Sequence, residues 1–588
     1  MIRGEEVKSL SLKWRDLTID VNFFAQIHVD EPEKDVTRIQ LSWQQASQEK
    51  PRLCIAWERP LKDIQGMWHP SCRKDRSLRA DWDDPFISSL FRSAPVFCFY
   101  NEDGRSRLTI ALSDGLTEIH HHYGVHEEDG TLRLRIEVPM NAVRSSTHYE
   151  LLLLRDERDC PYEECLRRVS AWWENACGYA PMPVPEVARL PMYSTWYSYH
   201  QQITAEKIEA ECALAVQDGY RTVIVDDGWQ TSDCSRGYGY CGDWLVAKEK
   251  IPDMRAHVAR VHALGMKYML WYNVAFVGEY SAHWHTFQDK LLTRVEHLHA
   301  GVMDPRYPEV RRFLIDTYVR ALRDWDLDGF KLDFVDSFTP SSRSGPWRAG
   351  MDFALVEDAV YRLMTDVRQA LQAVKPEVLI EFRQSYIGPA MRTFSNMLRV
   401  NDCPADWLSN RVGMVDLRLL SGDTAVHSDM LMWHREDSVE NAARQVLNVL
   451  FAVPQISVPL ADVPSEHRQM LRFYMAFMAR HRQLLQAPIF AQAPHMLYPL
   501  VRTRLGEEEA VAVYERDKVI EPARVKCSYL FNATSDDALF LRCGEGDRWD
   551  AKVCSCLGEE EGTLALAGEG IVRLPVPPGG FALLTRNG

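Results

Sequence analysis

Between about residues 190 and 490, strand-like segments alternate with helix-like segments, and this alternation limits the fold more than any other feature of the chain. The strand candidates are Met192–Trp196, Thr222–Val225, Lys267–Tyr272, Gly329–Asp333, Val378–Phe382, Met397–Val400, Ala425–Ser428 and Gln455–Val458. Helix-like segments between them include Thr204–Asp218, Asp253–Leu264, Pro308–Trp325 and Phe353–Val374. Eight strands with intervening helices in about 300 residues predict a (β/α)8 barrel.

The segments on either side of this alternating region are β-rich. Residues 1–180 contain alternating runs at strand length, such as Leu132–Val138, and they end in a helix-like segment at Pro161–Cys177. The proline-rich stretch Ala180–Pro185 reads as a stiff linker. We therefore predict an N-terminal β-sandwich with a connecting helix (1–180), a catalytic barrel (181–490) and a small antiparallel C-terminal β-domain (491–588).

Charge and composition exclude several classes of partner. The chain has 588 residues and a formal charge of −15, which argues against nucleic acid or an anionic membrane as a partner. No apolar run is long enough to span a membrane, and Met1–Lys8 contains no apolar signal segment. Of the 14 cysteines, which are scattered, neither the pair Cys234 and Cys241 nor the pair Cys554 and Cys556 has the C-x-x-C spacing of a zinc site. We expect a cytoplasmic protein with reduced thiols, assembled as a homo-oligomer.

The fourth predicted strand carries Lys331 and Asp333 two residues apart. Side chains alternate across a strand, so both lie on the same face. An ammonium beside a carboxylate keeps that carboxylate ionised. An ionised aspartate at the C-terminal end of a barrel strand is a candidate nucleophile. A structural ion pair explains this stretch equally well on its own.

Acidic and aromatic residues follow most of the predicted strands, at the end where barrel enzymes place their active sites. In chain order these residues are Trp196, Tyr197, Asp226, Asp227, Trp229, Trp271, Asn273, Asp333, Glu381, Arg383, Arg399, Asp402, Asp406, His427 and Asp429. Paired carboxylates among tryptophans are typical of glycoside hydrolysis. We interpret Asp333 as the nucleophile and Asp402 as the acid, with a separation near 5 Å favouring retention of configuration. Asp406 is the rival acid, unless it caps the following turn.

Four motifs in order carry a resemblance: Val225–Trp229 (VDDGW), Cys241–Trp244 (CGDW), Gly265–Trp271 (GMKYMLW) and Phe330–Asp333 (FKLD). Together they resemble the catalytic barrel of the α-galactosidases of glycoside hydrolase family 36, in the clan shared with family 27. The resemblance covers the middle half of the chain. It implies a retaining exo-α-galactosidase that works through a covalent glycosyl-enzyme, with no metal or organic cofactor, on α-linked galactosides or related oligosaccharides.

The resemblance also implies individual roles. Asp333 matches the nucleophile, Asp402 the acid/base and Lys331 a sugar-contacting lysine. The acidic pair Asp226 and Asp227 matches the residues that bind the 4- and 6-hydroxyls of galactose. The residues that we expect to contact substrate are Trp196, Asp226, Asp227, Trp229, Asp243, Trp244, Trp271, Lys331, Arg383, Arg399 and Asp406.

The chain departs from the family after the fifth predicted strand. Many members carry a cysteine and a G-G-G-R segment there, near the sugar 2-position, whereas this chain has Glu381–Pro389 (EFRQSYIGP). The segment leaves open an α-N-acetylgalactosaminidase or an α-glucosidase. A sugar-binding protein without catalysis, and transglycosylation in place of hydrolysis, also stay open. Arg383 could face a charged group, or form an ion pair with Glu381 or another acid.

Overall fold

The computed structural model describes residues 10–43, 51–140 and 147–586. Met1–Lys8, in which we find no apolar signal segment, lies outside the described residues. Among the described residues, no helix has the length and apolar character needed to cross a membrane.

The N-terminal region is a sandwich of two six-stranded sheets. Its strands are Leu10–Trp14 (β1), Leu17–Val21 (β2), Gln26–Glu33 (β3), Val36–Ser42 (β4), Arg52–Pro60 (β5), Gly66–Trp68 (β6), Phe86–Ser88 (β7), Val96–Tyr100 (β8), Ser106–Leu112 (β9), Ile119–His126 (β10), Thr131–Pro139 (β11) and His148–Asp156 (β12). Alternate side chains, such as Ile19, Ile39 and Phe97, meet in one apolar cluster between the sheets. The predicted sandwich is thus confirmed.

A helix connects the sandwich to the rest of the chain. It spans Tyr162–Asn175 (α1), two residues shorter at its C-terminal end than predicted, and Pro161 occupies its N-cap position. Trp173 on this helix donates a hydrogen bond from Nε1 to the carbonyl of Leu112, at 2.8 Å. The helix therefore lies against the sandwich.

The middle of the chain forms an eight-stranded parallel sheet wrapped by helices. Its strands, with those of an inserted sheet, are Met192–Ser194 (β13), Thr222–Val225 (β14), Lys267–Asn273 (β15), Phe276–Gly278 (β16), Leu291–Val295 (β17), Ala300–Met303 (β18), Gly329–Asp333 (β19), Leu379–Arg383 (β20), Met397–Arg399 (β21), Ala425–His427 (β22) and Gln455–Ile456 (β23). Its helices are Trp196–Tyr199 (α2), Ala205–Gln217 (α3), Met254–Ala263 (α4), Trp284–Phe287 (α5), Pro308–Trp325 (α6), Val356–Val374 (α7), Trp407–Leu420 (α8), Val439–Asn448 (α9), Ser465–Arg480 (α10) and Arg482–Leu485 (α11).

All eight predicted barrel strands are present. The sheet order is β22-β21-β20-β19-β15-β14-β13-β23, and single bridges from His427 to Val453 and from Leu431 to Ile456 nearly close the ring. Gly329 allows a close approach of neighbouring strands, because a Cβ there would lie 2.3 Å from the carbonyl oxygen of Leu379. The (β/α)8 barrel is therefore confirmed.

Strand register explains why polar side chains collect at one level of the barrel. Lys331 on β19 pairs with Glu381 on β20, and Arg383 pairs with Arg399 on β21. Arg399 in turn pairs with His427 on β22. Because side chains two residues apart share a face, these residues form two successive polar layers near the C-terminal ends of the strands.

One insertion was not predicted from the sequence. Between β15 and α6 the chain forms the small antiparallel sheet β16-β18-β17. These three strands are short and lie before the helix-like segment that begins at Pro308, so the sequence pattern does not reveal them. The insertion lies beside the predicted active site, as loops at the C-terminal end of a barrel do.

The C-terminal region consists of two sheets. Its strands are Ile489–Ala491 (β24), Leu500–Leu505 (β25), Glu508–Val513 (β26), Val519–Ile520 (β27), Cys527–Asn532 (β28), Leu539–Cys543 (β29), Arg548–Cys554 (β30), Glu560–Ala567 (β31), Gly570–Leu574 (β32) and Phe581–Arg586 (β33). Most pairs are antiparallel, but β26 pairs with β28, and β27 with β29, in parallel. Between β26 and β28 the chain crosses to the smaller sheet to form β27, so β28 runs parallel to β26 although the sequence predicts an antiparallel domain. The boundaries at 180 and 490 remain predictions.

Candidate active site

Asp333 ends β19 in a nearly closed environment, with 8% of its surface exposed. Its Oδ1 accepts hydrogen bonds from Arg383 Nε at 2.6 Å and from the Phe334 amide at 2.8 Å. Its Oδ2 accepts one from Trp271 Nε1 at 3.1 Å. Burial alone would raise the pKa of Asp333, but the charges of Arg383 and Lys331 hold it well below its usual value. The carboxylate is ionised and fixed in orientation.

Lys331 makes its direct ion pair with Asp226, not with Asp333. The Nζ–Oδ2 distance is 2.6 Å, and both side chains are buried. Burial lowers the pKa of Lys331, but the charge of Asp226 outweighs that effect and the pKa is raised. Lys331 therefore acts on Asp333 only through its charge, and Arg383 makes the contact that the sequence suggested for the lysine. For Arg383, the ion pair is with Asp333 and, at 3.4 Å, with Asp336 rather than with Glu381.

Asp227 is held by two glutamine side chains. Gln201 Nε2 donates to Oδ2 at 2.7 Å, and Gln230 Nε2 donates to Oδ1 at 2.6 Å. Burial raises the pKa of Asp227 to about 6. Gly228 has φ of +112°, and a Cβ there would lie 2.6 Å from Cα of Gln201. Sequence reasoning missed Gln201, although it lies in the loop after the first barrel strand, where site residues are expected.

The aromatic residues differ in exposure. Trp229 and Trp244 are fully buried and stack with ring centroids 6.0 Å apart, while Trp229 Nε1 donates to the carbonyl of Trp271. Their contact with a sugar remains a prediction, because neither ring has free surface in this conformation. Trp196 is half-buried, and its ring centroid lies 4.7 Å from that of His200. One of the predicted aromatic residues therefore offers exposed ring surface.

Asp243 fixes the inserted segment. Its carboxylate accepts hydrogen bonds from the backbone amides of Ala282 and His283 at 2.9 and 3.1 Å. The ring of His283 adds a third contact, at 2.8 Å. These contacts hold the turn after β16, so Asp243 shapes the rim of the barrel through that turn.

Arg399 is the centre of a second charged cluster. Its side chain is fully buried, and Nη1 lies 2.6 Å from Oδ1 of Asp429 and 2.9 Å from Oδ1 of Asp402. Its Nε lies 3.5 Å from Oε1 of Glu381. Asp429 also accepts hydrogen bonds from the Tyr197 hydroxyl and from the backbone amide after Asp402. Burial raises the pKa of Asp429 to about 6, against the lowering effect of the Arg399 charge.

Asp402 follows β21 and projects toward solvent, with 51% of its side chain exposed. Burial and the negative charge of Asp333 raise its pKa, but the charges of Arg399 and Lys331 prevail and the pKa is lowered. The sequence contained no information on this direction. Asp402 is therefore largely ionised in the free protein, yet it is open to exchange of protons with water.

Asp406 caps helix α8. It accepts hydrogen bonds from the backbone amide of Ser409 at 2.9 Å and from Lys74 Nζ, on the sandwich, at 3.0 Å. Burial would raise its pKa, but the bonds from Ser409 lower it to about 2. The geometry is that of the N-cap alternative that we considered for this residue.

A cavity of about 400 Å³ lies where the sandwich meets the barrel. The barrel contributes Asp336, Arg383, Asn401 and Asp402, among other residues, and the sandwich contributes Pro70, Ser71, Arg73, Lys74, Arg92 and Ser93. Among the described residues, no group of three or more His, Cys, Asp or Glu side chains is arranged to hold a metal ion.

Comparison with known proteins shows what the barrel region is similar to. The melibiase family model matches residues 188–415, which include every motif that suggested the resemblance. The resemblance to family 36 is confirmed. The α-galactosidase AgaA of Geobacillus stearothermophilus is 24% identical over 376 residues, which cover 58% of this chain and 48% of AgaA. The chain thus spans about half the length of that curated relative.

Solved α-galactosidases share the fold. The enzyme from Lactobacillus brevis superposes with a TM-score of 0.63 at 14% identity, covering 97% of this chain and 80% of that one. An AgaA variant from Geobacillus stearothermophilus in complex with raffinose superposes with a TM-score of 0.61 at 15% identity, covering 97% and 81%. The barrel and both flanking β-regions therefore share the architecture of these solved α-galactosidases.

Proposed function

We propose that the protein is a retaining exo-acting α-galactosidase with Asp333 as nucleophile and Asp402 as acid/base. The observation that carries this proposal is the state of Asp333, which is ionised, bonded by three donors and placed at the end of a strand in the melibiase-matched barrel. Relatives solved with raffinose and stachyose support an α-galactoside as the substrate class.

In the first step, Asp333 attacks the anomeric carbon as the glycosidic bond breaks. The carboxylate becomes an ester of the sugar, and Asp402, once it has taken up a proton from solvent, gives that proton to the departing oxygen. Trp271 and Arg383 hold the two carboxylate oxygens of Asp333, so little reorganisation is needed before attack.

In the second step, water hydrolyses the glycosyl-enzyme. Asp333 is now an ester and carries no charge, so its raising effect on the pKa of Asp402 is lost. Arg399 and Lys331 continue to lower that pKa, which favours the ionised carboxylate that a general base requires. The geometry therefore supports a change of role of Asp402 between the two steps.

Recognition of the sugar falls to the pair Asp226–Asp227 and to Lys331. All three are buried and already oriented by Gln201, by Gln230 and by the Asp226–Lys331 ion pair. Buried, oriented acceptors discriminate strongly between sugars, because a hydroxyl in the wrong position leaves a polar group unpaired. This supports selection of a single epimer at the 4-position.

A second candidate keeps the chemistry and changes the sugar. Arg383 extends from β20, in the region where many family members carry the cysteine and the glycine-rich segment, and it contacts the nucleophile. The observation favours an altered 2-position, as in an α-N-acetylgalactosaminidase or an α-glucosidase. A sugar-binding protein without catalysis is less well supported, because both carboxylates are present.

The test is hydrolysis of a panel of p-nitrophenyl α-glycosides, with the anomer of the first product followed by proton NMR. We expect fastest release from the α-galactoside and initial formation of α-galactose. Faster cleavage of the 2-acetamido or gluco analogue would favour the second candidate, and initial β-galactose would rule out retention. Absence of cleavage across the panel would contradict the enzyme proposal.

A further inference from the structure

The cavity between sandwich and barrel is built by two sandwich loops that are fastened to the barrel. In the first loop, Nη2 of Arg76 donates to both carboxylate oxygens of buried Asp416 of α8, at 2.7 and 2.8 Å, and Lys74 contacts Asp406. In the second loop, the Ser93 amide donates to the carbonyl of Ser385, after β20, at 2.8 Å. Both loops therefore have a fixed position over the barrel end.

The carboxylates that line this cavity each have a cation. Asp416 pairs with Arg76, Asp402 with Arg399 and Asp336 with Arg383. Lys74, the lining lysine, pairs with Asp406, which caps α8. Each carboxylate that lines the cavity thus already has a basic partner, although Arg399 and Arg383 each serve further acids as well.

Two of the lining arginines make no direct ion pair in the part of the chain that the structure describes. Arg73 and Arg92 are exposed, and neither has an ion pair within residues 10–43, 51–140 and 147–586. The charge of Arg92 contributes to lowering the pKa of Glu118, whose hydrogen-bond partner, at 2.9 Å, is His120. Arginine stays charged at all working pH values and binds carboxylates and sulfates in a two-pronged geometry. The sandwich wall of the cavity therefore carries an excess of positive charge.

The position of the cavity indicates which part of a substrate would meet these arginines. Of the two proposed catalytic residues, only Asp402 lines it, and the sugar-binding pair Asp226–Asp227 does not. An acid catalyst must lie beside the glycosidic oxygen, on the side of the leaving group. The cavity next to Asp402 is thus the space into which the leaving group extends.

We propose that this cavity binds a leaving group that carries an anionic substituent, a carboxylate or a sulfate, through Arg73 and Arg92. The inference rests on the proposed function, since it assigns the substrate class of the same site. The preferred substrates are α-galactosides of acidic sugars, and the N-terminal sandwich selects them.

The experiment compares galactose α-linked to a hexuronic acid, to the corresponding neutral hexose and to the same hexose carrying a sulfate. At low ionic strength we expect kcat/KM for an acidic leaving group to exceed the neutral one by at least about tenfold, mainly through KM. The preference should shrink as NaCl rises from about 0.05 M to about 0.5 M, because salt screens exposed charges.

The double variant Arg73→Gln/Arg92→Gln should bring the acidic-to-neutral ratio close to one. Arg135→Gln is the matched control, since Arg135 is a half-exposed arginine of the sandwich that does not line the cavity. This control should keep the wild-type ratio. A wild type with no preference, or a double variant with an unchanged ratio, would overturn the inference and leave the α-galactosidase proposal intact.

Two further outcomes separate the proposals. If a sulfate on the galactose ring, rather than on the leaving group, produced the preference, the assignment to this cavity would be wrong. If none of the substrates were cleaved, the proposed function would fail, and calorimetry with the free hexuronic acid would still decide the inference. If the hexuronic acid binds more tightly than the hexose, and the double variant loses this difference, the inference is supported. Equal binding of the two sugars contradicts it.

Discussion

Asp333 and Asp402 follow strands of one sheet that are separated only by β20, but the protein treats the two carboxylates in opposite ways. Asp333 is 8% exposed and receives three hydrogen bonds, whereas half of the Asp402 side chain is exposed and its direct contact is with Arg399. A nucleophile benefits from a fixed geometry, and an acid/base must exchange protons with solvent and leaving group. The difference in exposure is therefore a difference in suitability for the two roles.

The arginines that serve the two acids sharpen this comparison. Arg383 and Arg399 are paired in register on β20 and β21. Arg383 directs its shortest contact to Asp333, whereas Arg399 is shared among Asp402, Asp429 and Glu381. Arg399 serves three carboxylates, whereas Arg383 serves two and Lys331 adds its charge at Asp333, so Asp402 is the easier of the two proposed catalytic acids to protonate.

The largest effect is expected from Asp333→Asn. The amide cannot attack the anomeric carbon, so we expect kcat to fall by at least about 10⁴-fold, or ~5 kcal/mol in the barrier. The measurement is release of p-nitrophenol from the α-galactoside, with circular dichroism to establish folding. A folded variant that kept more than about a tenth of the wild-type rate would remove Asp333 from the nucleophile role.

A smaller effect, dependent on substrate, is expected from Asp402→Asn. Loss of the acid should cost about 10²–10⁴-fold on an alkyl α-galactoside, and much less on the p-nitrophenyl one, whose leaving group needs little protonation. Azide should restore the second step, because it replaces the water that the base would activate.

The pH profile gives a second readout for Asp402. Because its pKa is lowered, the protonated acid is lost as pH rises, so wild-type kcat/KM should be highest on the acidic side of neutrality. In Asp402→Asn the decline toward alkaline pH should disappear. Persistence of that decline would mean that another group, such as Asp429 with its pKa near 6, supplies the proton.

A still smaller effect is expected from Arg383→Gln. Without the charge of Arg383, burial weighs more heavily and the pKa of Asp333 rises. Since the nucleophile must be ionised, the fall of kcat/KM at low pH should begin at a higher pH, with a loss of about 10–100-fold near pH 5. Arg383→Lys, which keeps the charge, should shift the profile less. An unchanged acidic limb would mean that Lys331 alone keeps Asp333 ionised.

The sequence was sufficient for the barrel and for the position of Asp333, because both depend on local patterns. Strand–helix periodicity located all eight strands, and the strand-end rule located Asp333. The sequence was not sufficient to predict which charged side chains form ion pairs with each other. Lys331 and Asp333 share a strand face, yet Asp226 pairs with the lysine, and Arg383 reaches Asp333 from the next strand. Such pairings depend on inter-strand register, which no single segment encodes.

The solvent exposure of the tryptophan side chains could not be predicted from the sequence either. Trp229 and Trp244 belong to motifs that predict contact with the sugar, but both side chains are buried and their rings stack on each other. A tryptophan beside an active-site motif looks the same in the sequence whether it lines the pocket or supports it. The sequence also did not predict that the sandwich lines the cavity, because Lys74 and Arg92 lie hundreds of residues from the barrel residues that they approach.

The smallest effect is expected from Asp406→Ala, which separates this residue from Asp402. Removing the N-cap of α8 should destabilise that helix by about 1 kcal/mol and lower the apparent midpoint of thermal unfolding by about 1–2 °C. Asp406→Asn, which can still accept the bond from Ser409, should lose less. Activity should change less than about threefold in both variants, because the cap lies outside the proposed pair of catalytic carboxylates. A loss on alkyl α-galactosides as large as that of Asp402→Asn would instead place the acid at Asp406.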